Sequence, residues 1–334
     1  MVYKNIVPFE PGESRGPTLL APPPPPLLVE RPDFTRERTA SMAVHIELPV
    51  PVLQQRLSRE QFNAMLMDKK ALISDLDGTA YSSHEAQRDA CVDALALAFG
   101  RGSPCVREAQ DWVMQCFDNQ SFNGMIEGIF QRLVPLPLDR HRYPHAEALD
   151  ESLNSLRLDL VMQAVQEGRV PAIRNFTNFV RLVVKARGLT LGINTSSPKE
   201  IAFPMMKELV PLLIEASKRQ HKIFRNQHTM LQRRFRRMVG LEEHEFRKKP
   251  FTDSYDALVH KMEIDKSQAI ILEDCPHMAL NLLLAGYGQV ILVLPEKEDQ
   301  KAARLLSGLT EEQASRLVIA RDFSLLIPDL RKVA

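Results

Sequence analysis

Two carboxylates stand two residues apart at the end of a short apolar run, in the stretch Ala71-Leu72-Ile73-Ser74-Asp75-Leu76-Asp77-Gly78-Thr79. The run is typical of a buried strand in a parallel sheet, and the charges and the glycine end that strand. Side chains two apart on an extended chain point the same way, so Asp75 and Asp77 are expected to face one site. Such a pair stays ionised when a cation lies beside it. The stretch predicts a Mg²⁺ site with a nucleophilic carboxylate, although a polar turn after a strand gives the same local pattern.

Other predicted strands also end in polar side chains. Residues 189–194 form an apolar strand pattern that ends in Thr195-Ser196-Ser197-Pro198, and residues 269–272 form one that ends in Glu273-Asp274. A basic cluster, Arg247-Lys248-Lys249-Pro250, precedes the latter strand, and two more strand patterns cover residues 289–294 and 317–320. In open α/β sheets, ligands bind outside the carboxyl ends of the strands. The candidate site is therefore formed by the polar groups at these ends, which are Asp75/Asp77, Thr195/Ser196 and Glu273/Asp274.

The chain between the first two strands has a helical pattern. Apolar spacing and Pro/Gly boundaries predict helices over about residues 86–99, from Pro104, over 122–133 and over 145–168. Further helices are predicted within residues 53–68, over 172–186, after Pro198 and through most of 203–239. Strands that alternate with helices predict a doubly wound parallel α/β sheet, here interrupted by an inserted helical block.

Four motifs in this order resemble those of the haloacid dehalogenase (HAD) superfamily. The similarity is to the subgroup of β-phosphoglucomutase and phosphoglycolate phosphatase-like proteins, over about residues 68–100 and 170–328, and it includes a last strand and helix over 315–326. Two departures are a longer interval between the second and third motifs, and Pro276 where the subgroup usually has glycine after the acidic pair. The residues that carry the resemblance are Asp75-Leu76-Asp77-Gly78-Thr79, Thr195, Lys249-Pro250 with Asp253 and Tyr255, and Leu272-Glu273-Asp274-Cys275-Pro276.

The resemblance implies a Rossmann-like HAD core with a helical cap. The expected division is a flexible Pro-rich tail over 1–52, a core over 53–83 and 170–334, and the cap over 84–169. The tail is expected to be disordered, so a chain that starts near residue 52 is expected to stay fully active.

The resemblance also implies the roles of the site residues. Asp75 would attack phosphorus and form an aspartyl-phosphate, and Asp77 would act as acid and then base. Thr195, Ser196 and Lys249 would bind the phosphoryl oxygens, although Ser196 could equally be a helix cap. Mg²⁺ would be held by Asp75, the backbone carbonyl of Asp77, Asp274 and Glu273, with the Glu273 contact direct or indirect.

These roles predict a Mg²⁺-dependent HAD-type phosphatase, a phosphoric monoester hydrolase, that acts on a small phosphorylated metabolite. A sugar phosphomutase of the same fold is the enzymatic alternative, because the motifs do not separate the two activities. The alternative from another class is a catalytically silent binding protein on the same fold. Four clustered carboxylates argue against a silent site.

Composition excludes several other classes. The 334 residues are 44% apolar, and 43 Lys plus Arg balance 42 Asp plus Glu, which argues against a general nucleic-acid-binding protein. The four cysteines, without C-x-x-C spacing, are expected to be buried thiols in a reduced compartment. The absence of a long apolar run predicts no transmembrane segment, and the first 30 residues lack a secretory pattern, so a cytoplasmic location is expected.

Two segments could contact partners. The proline run at 22–26 is a polyproline II linker, or a ligand for an SH3-type or WW-type groove. A stretch at 218–237 is basic and could be a solvated helix face or contact an anionic partner such as nucleic acid, an acidic membrane or a polyanionic substrate. Its cations are Lys218, Arg219, Lys222, Arg225, Arg233, Arg234, Arg236 and Arg237.

Overall fold

The computed structural model describes residues 47–117, 122–133, 143, 145–197, 199–206, 209, 249 and 251–328. The proline run at 22–26 and the basic stretch at 218–237 lie outside these residues, as does most of the helix predicted over 203–239. The interactions expected for these two segments therefore stay predictions.

A five-stranded parallel sheet forms the centre of the fold, as the sequence predicts. The strand order is β2-β1-β3-β4-β5, so β1 and β3 are neighbours. Ala71 of β1 pairs with Thr190 of β2 on one side and with Ala269 of β3 on the other. The strands are β1 (Ala71–Ser74), β2 (Thr190–Ile193), β3 (Ala269–Glu273), β4 (Gln289–Val293) and β5 (Leu317–Ala320).

Both faces of the sheet are covered by apolar side chains. Every residue of β1, β3 and β4 is buried. Successive residues contribute to different hydrophobic clusters, with Leu72 in one and Ile73 in the other. This two-sided burial explains why these strands appear in the sequence as continuous apolar runs without alternation.

Eleven α-helices lie in the part of the chain that the structure covers, and most follow the predicted boundaries. Pro104 begins α3, where its missing N–H costs no intrahelical hydrogen bond, and Gly188 ends α6 in a left-handed conformation. The helices are α1 (Arg59–Met65), α2 (His84–Phe99), α3 (Pro104–Cys116), α4 (Phe122–Leu133), α5 (Ala146–Gln166), α6 (Phe176–Arg187), α7 (Lys199–Met205), α8 (Asp253–Lys261), α9 (Pro276–Leu284), α10 (Asp299–Leu306) and α11 (Glu311–Ser315).

Helices α2 to α5 pack around a hydrophobic cluster of their own. Leu95, Val113, Ile129 and Leu149 are among its buried members, one from each helix. Helices α2 and α5 also contribute buried residues to the core beside the sheet, for example Ala90 and Val161. The division into tail, core and cap at residues 52, 84 and 169 stays a prediction. None of the helices in the described residues combines the length and apolarity needed to cross a bilayer.

The chain just before α1 runs beside β5. Val52 forms a parallel bridge with Ile319, and the backbone N–H of Leu53 donates to the Ile319 carbonyl over 2.8 Å. Leu48, Val50 and Val52 pack against one hydrophobic cluster. The predicted end of the tail at residue 52 falls inside this packed segment, which we call the β5 strap (residues 47–57).

Two local expectations are wrong. Residues 321–328 form bends and turns, not the helix expected to follow the last strand. All four cysteines are free, but only Cys91 is buried, while Cys275 is exposed at the start of α9.

Candidate active site

The carboxylates that follow β1 and β3 meet at one edge of the sheet. Ser74 pairs with Leu272, and the backbone N–H of Asp75 donates to the Leu272 carbonyl over 3.0 Å. This register places the residues after the two strands side by side. Carboxylate oxygens of Asp75, Glu273 and Asp274 lie within 4.8 Å of one another. Residues about two hundred positions apart in the sequence therefore form one acidic cluster.

The side chain of Lys249 contacts this cluster. Its Nζ donates to Asp75 Oδ1 over 2.6 Å and to Glu273 Oε1 over 2.7 Å. The hydroxyl of Tyr255, in α8, also donates to Glu273 Oε1. Burial alone would lower the pKa of Lys249, but the two carboxylates outweigh burial and hold this pKa well above its usual value. The lysine therefore stays protonated and bridges β1 to β3.

Among the residues that the structure describes, one lysine contacts this cluster, and its single positive charge does not balance three carboxylates. Burial, with the added repulsion of Glu273 and Asp77, raises the pKa of Asp75 to about 7 against the opposing attraction of Lys249. Burial, Asp75 and Glu273 likewise raise the pKa of Asp274 well above its usual value. Glu273 Oε2 is buried and has no hydrogen-bond partner within the described part of the chain. A hard divalent cation fits this donor set, because it would neutralise the excess charge and coordinate carboxylate oxygens.

The turn after β1 allows Asp274 to approach the backbone closely. Gly78 has φ +78°, and a Cβ built on it would lie 1.9 Å from Asp274 Oδ2. Thr79 Oγ1 donates to the other oxygen, Asp274 Oδ1, over 3.4 Å. Glycine is required here for two reasons, its left-handed conformation and the space that Asp274 occupies.

Asp77 is held by four neighbours, two on each carboxylate oxygen. Ser83 Oγ and Gln87 Nε2 donate to Oδ1 over 2.6 and 2.8 Å. Ser197 Oγ donates to Oδ2, and Thr195 Oγ1 lies 3.5 Å from the same oxygen. The first pair comes from the start of α2 and the second from the loop after β2, so two separate elements fix this side chain.

The structure brings most of the predicted site residues together. Asp75, Glu273 and Asp274 form the acidic cluster, which Lys249 contacts. Asp77 and Thr195 lie beside this cluster. Ser196 differs, because it is exposed, whereas the next residue, Ser197, is buried and bonds Asp77. The roles of all these residues stay predictions.

Four groups that contact the site carboxylates have no role in the sequence-based prediction, although Tyr255 is part of its third motif. These are the hydroxyls of Ser83, Ser197 and Tyr255 and the amide of Gln87. A serine just before a helix is recognisable in the sequence as an N-cap candidate, and Ser83 occupies this position before α2. In the structure its side chain makes no cap bond, and its hydroxyl donates to Asp77 instead. Gln87 follows one helical turn later and reaches the same oxygen.

Comparisons with known proteins find similar structures only. No family model matches the sequence, and no curated protein matches it. Solved structures that match include CbbY of Rhodobacter sphaeroides in complex with xylulose-(1,5)-bisphosphate (13% identity, TM-score 0.48, 76% of this chain and 95% of that chain). Another is a HAD hydrolase of family IA from Entamoeba histolytica (16% identity, TM-score 0.47, 74% of this chain and 98% of that chain). A third is a HAD family hydrolase from Deinococcus radiodurans with bound phosphate and sodium (18% identity, TM-score 0.44, 78% of this chain and 99% of that chain).

The Entamoeba histolytica and Deinococcus radiodurans proteins carry the name of the superfamily whose motifs this sequence resembles. At such low identities, and with TM-scores below 0.5, the matches assign neither an activity nor a substrate to this chain.

Proposed function

We propose that this chain is a Mg²⁺-dependent phosphatase that hydrolyses a small phosphorylated metabolite through an aspartyl-phosphate on Asp75. The observation that carries the proposal is the convergence of Asp75, Glu273 and Asp274 around Lys249 at the carboxyl ends of β1 and β3. An acidic cluster that needs a divalent cation, with one lysine aimed into it, suits a phosphoryl group, which brings oxygen ligands to the cation and negative charge to the lysine.

Asp75 is the nucleophile in this scheme. It is 4% exposed and contacts Lys249, so one of its oxygens is oriented before substrate arrives. Attack on phosphorus forms the bond from Asp75 to the phosphoryl group and releases the alcohol oxygen of the substrate. Lys249 contacts the Asp75 carboxylate, so its ammonium group can also contact an oxygen of the phosphoryl group and neutralise charge in the transition state.

The metal would be held by the Asp75 and Asp274 carboxylates, the Asp77 backbone carbonyl and Glu273 Oε2, which no other described residue contacts by a hydrogen bond. When bound, Mg²⁺ would neutralise these carboxylates and polarise the phosphoryl group. Lys249 and Tyr255 already occupy Glu273 Oε1, so Oε2 is the oxygen that Glu273 offers.

Asp77 supplies the proton to the leaving oxygen. It later takes a proton from the water that attacks the phosphoryl group, which breaks the bond to Asp75 and releases inorganic phosphate. Its neighbours distinguish its two oxygens, because the Gln87 amide N–H on Oδ1 can only donate. The Ser197 and Thr195 hydroxyls, which contact Oδ2, can rotate and accept a hydrogen bond from it. The transferable proton therefore lies on Oδ2, the oxygen beside the predicted phosphate-binding residue Thr195.

The experiment that tests this function is hydrolysis of p-nitrophenyl phosphate with Mg²⁺ and with excess chelator. We expect phosphate release that needs the metal and falls at least roughly 10³-fold in Asp75→Asn. Asp89→Asn is the matched control, because it removes an exposed carboxylate that pairs with the neighbouring Arg88. Unchanged rates in chelator, or near-normal rates in Asp75→Asn, would reject the proposal.

A further inference from the structure

We infer that Ser197 is a positioning residue for Asp77, a role that rests on the phosphoryl transfer proposed above. Ser197 is 8% exposed, and its hydroxyl donates to Asp77 Oδ2. Asp77 lies 120 positions earlier in the sequence, so this contact joins the loop after β2 to the turn after β1.

A local turn fixes the direction of the Ser197 hydroxyl. The backbone N–H of Ser197 donates to Thr195 Oγ1 over 3.0 Å, which is a side-chain turn of the kind that serine and threonine form. The turn leaves Ser196 exposed and directs the next side chain inward. Thr195, placed by the same turn, lies 3.5 Å from the oxygen that Ser197 contacts.

The contact matters because an aspartate carboxylate rotates easily about its last torsion angle. That torsion has a broad, roughly two-fold energy profile, so contacts to one oxygen alone leave the group able to twist. Ser83 and Gln87 hold only Oδ1. Ser197 holds the second oxygen from another element, and the carboxylate is then fixed at both ends.

A general acid that is misplaced slows reactions according to how much they need a proton. A good leaving group, such as that of p-nitrophenyl phosphate, departs with little protonation of its oxygen. Phenyl phosphate, whose leaving oxygen has a pKa of about 10 as in tyrosine, depends on the acid much more. Loss of positioning therefore produces a defect that grows with the pKa of the leaving group. Weaker phosphate binding or a loosened fold slows every ester equally.

The test is kcat/KM for a series of aryl phosphates from p-nitrophenyl to phenyl, with Mg²⁺, in wild type and Ser197→Ala. For Ser197→Ala we expect a loss within roughly 3-fold for p-nitrophenyl phosphate and of roughly 10- to 100-fold for phenyl phosphate, since small misplacements of a catalytic group cost up to about 10²-fold. Ser197→Thr keeps a hydroxyl and is expected to restore the wild-type slope. Should the alanine variant fail to fold, Ser197→Cys fills the site with a slightly larger side chain that is a weaker donor, and it is expected to change the slope in the same direction.

Ser324→Ala is the matched control. It removes a hydroxyl that accepts from Asn175 Nδ2 over 2.9 Å, a part-buried hydrogen bond outside the site. We expect it to leave the slope unchanged. An equal loss for every ester in the Ser197 variants would overturn the positioning role while leaving the phosphatase in place. A wild-type protein that hydrolyses none of the esters would overturn the proposed function and this inference with it.

Discussion

Gly78 allows the Asp274 side chain to approach the turn after β1. Replacing it with alanine puts a Cβ where Asp274 Oδ2 now lies, at φ +78°, a conformation that costs an L-residue about 1–2 kcal/mol. Asp274 must then move out of the acidic cluster. We expect Gly78→Ala to weaken Mg²⁺ binding, measured by titration calorimetry, and to lower phosphatase activity by roughly 10²-fold.

Gly308→Ala is the control for this prediction, because a Cβ there meets no atom within 4 Å. We expect its metal affinity and activity to match wild type. Wild-type Mg²⁺ affinity in Gly78→Ala would show that Asp274 is not held against this turn.

Tyr255 stabilises a buried carboxylate that carries several roles. Its hydroxyl is fully buried and donates to Glu273, itself 1% exposed. Removing a hydrogen bond to a buried charged group costs about 1–3 kcal/mol. We expect Tyr255→Phe to lower the free energy of unfolding by that amount in urea titrations with chelator present.

Tyr287→Phe provides the comparison within the same fold. Its hydroxyl donates to Asp256, whose side chain is 38% exposed and also pairs with Lys266, so water can replace the lost bond. We expect a smaller loss of stability and unchanged activity. A larger effect at Tyr287 than at Tyr255 would contradict the importance of the Glu273 contact.

At the residue scale, the sequence predicts the acidic residues but not their supports. Asp75, Asp77, Glu273 and Asp274 follow apolar runs directly, so local pattern is enough to find them. Ser197 and Gln87 have no such signal, because their partner Asp77 is distant in the sequence or on another element. Serine in a loop and glutamine on a helix are common, and only the folded chain distinguishes these two.

The β5 strap is the element whose position the sequence least predicts. Its apolar side chains pack against both hydrophobic clusters beside the sheet. Leu48, Val50 and Val52 contact one cluster, and Leu53 and Leu57 contact the other. The N–H of Leu57 also donates to the Leu325 carbonyl over 2.9 Å. These long-range bonds hold residues 53–57 outside the helix. Helix α1 has only the seven residues from Arg59, after a capping box formed by Ser58 and Gln61.

Shortening the chain tests the strap. A chain that begins at residue 52 loses the partly buried Leu48 and Val50, which we expect to lower the free energy of unfolding by about 1–2 kcal/mol relative to a chain that begins at residue 47. The measurement is chemical denaturation of both chains. Identical stability would show that residues 47–51 add nothing to the core and would support a tail that extends to residue 52.

Helix boundaries, in contrast, follow local chemistry closely. The sequence predicts α4 and β5 with the bounds that they have, and Pro104 and Gly188 mark the start of α3 and the end of α6. Proline and glycine restrict the backbone wherever they occur, so no distant partner is needed. The turns at 321–328 depend on contacts such as the Phe323 N–H to the Arg174 carbonyl, and the sequence does not reveal these.

At the scale of the whole molecule, strand order turns separate motifs into one site. Each motif alone is a polar end to an apolar run, and the sequence does not give the order β2-β1-β3-β4-β5. Because β1 lies between β2 and β3, the first motif has the second on one side and the fourth on the other. Lys249 then bridges β1 and β3 through its two carboxylate contacts.

The claim that Asp75 attacks phosphorus is tested most directly by trapping the protein during turnover. We propose to mix the protein with Mg²⁺ and p-nitrophenyl phosphate, quench in acid within the first turnovers and locate any phosphoryl group by mass spectrometry of peptides. The account predicts one phosphoryl group on Asp75, absent in excess chelator and in Asp75→Asn. Steady phosphate release with no phosphoryl group on Asp75, or with one on another residue, would contradict it.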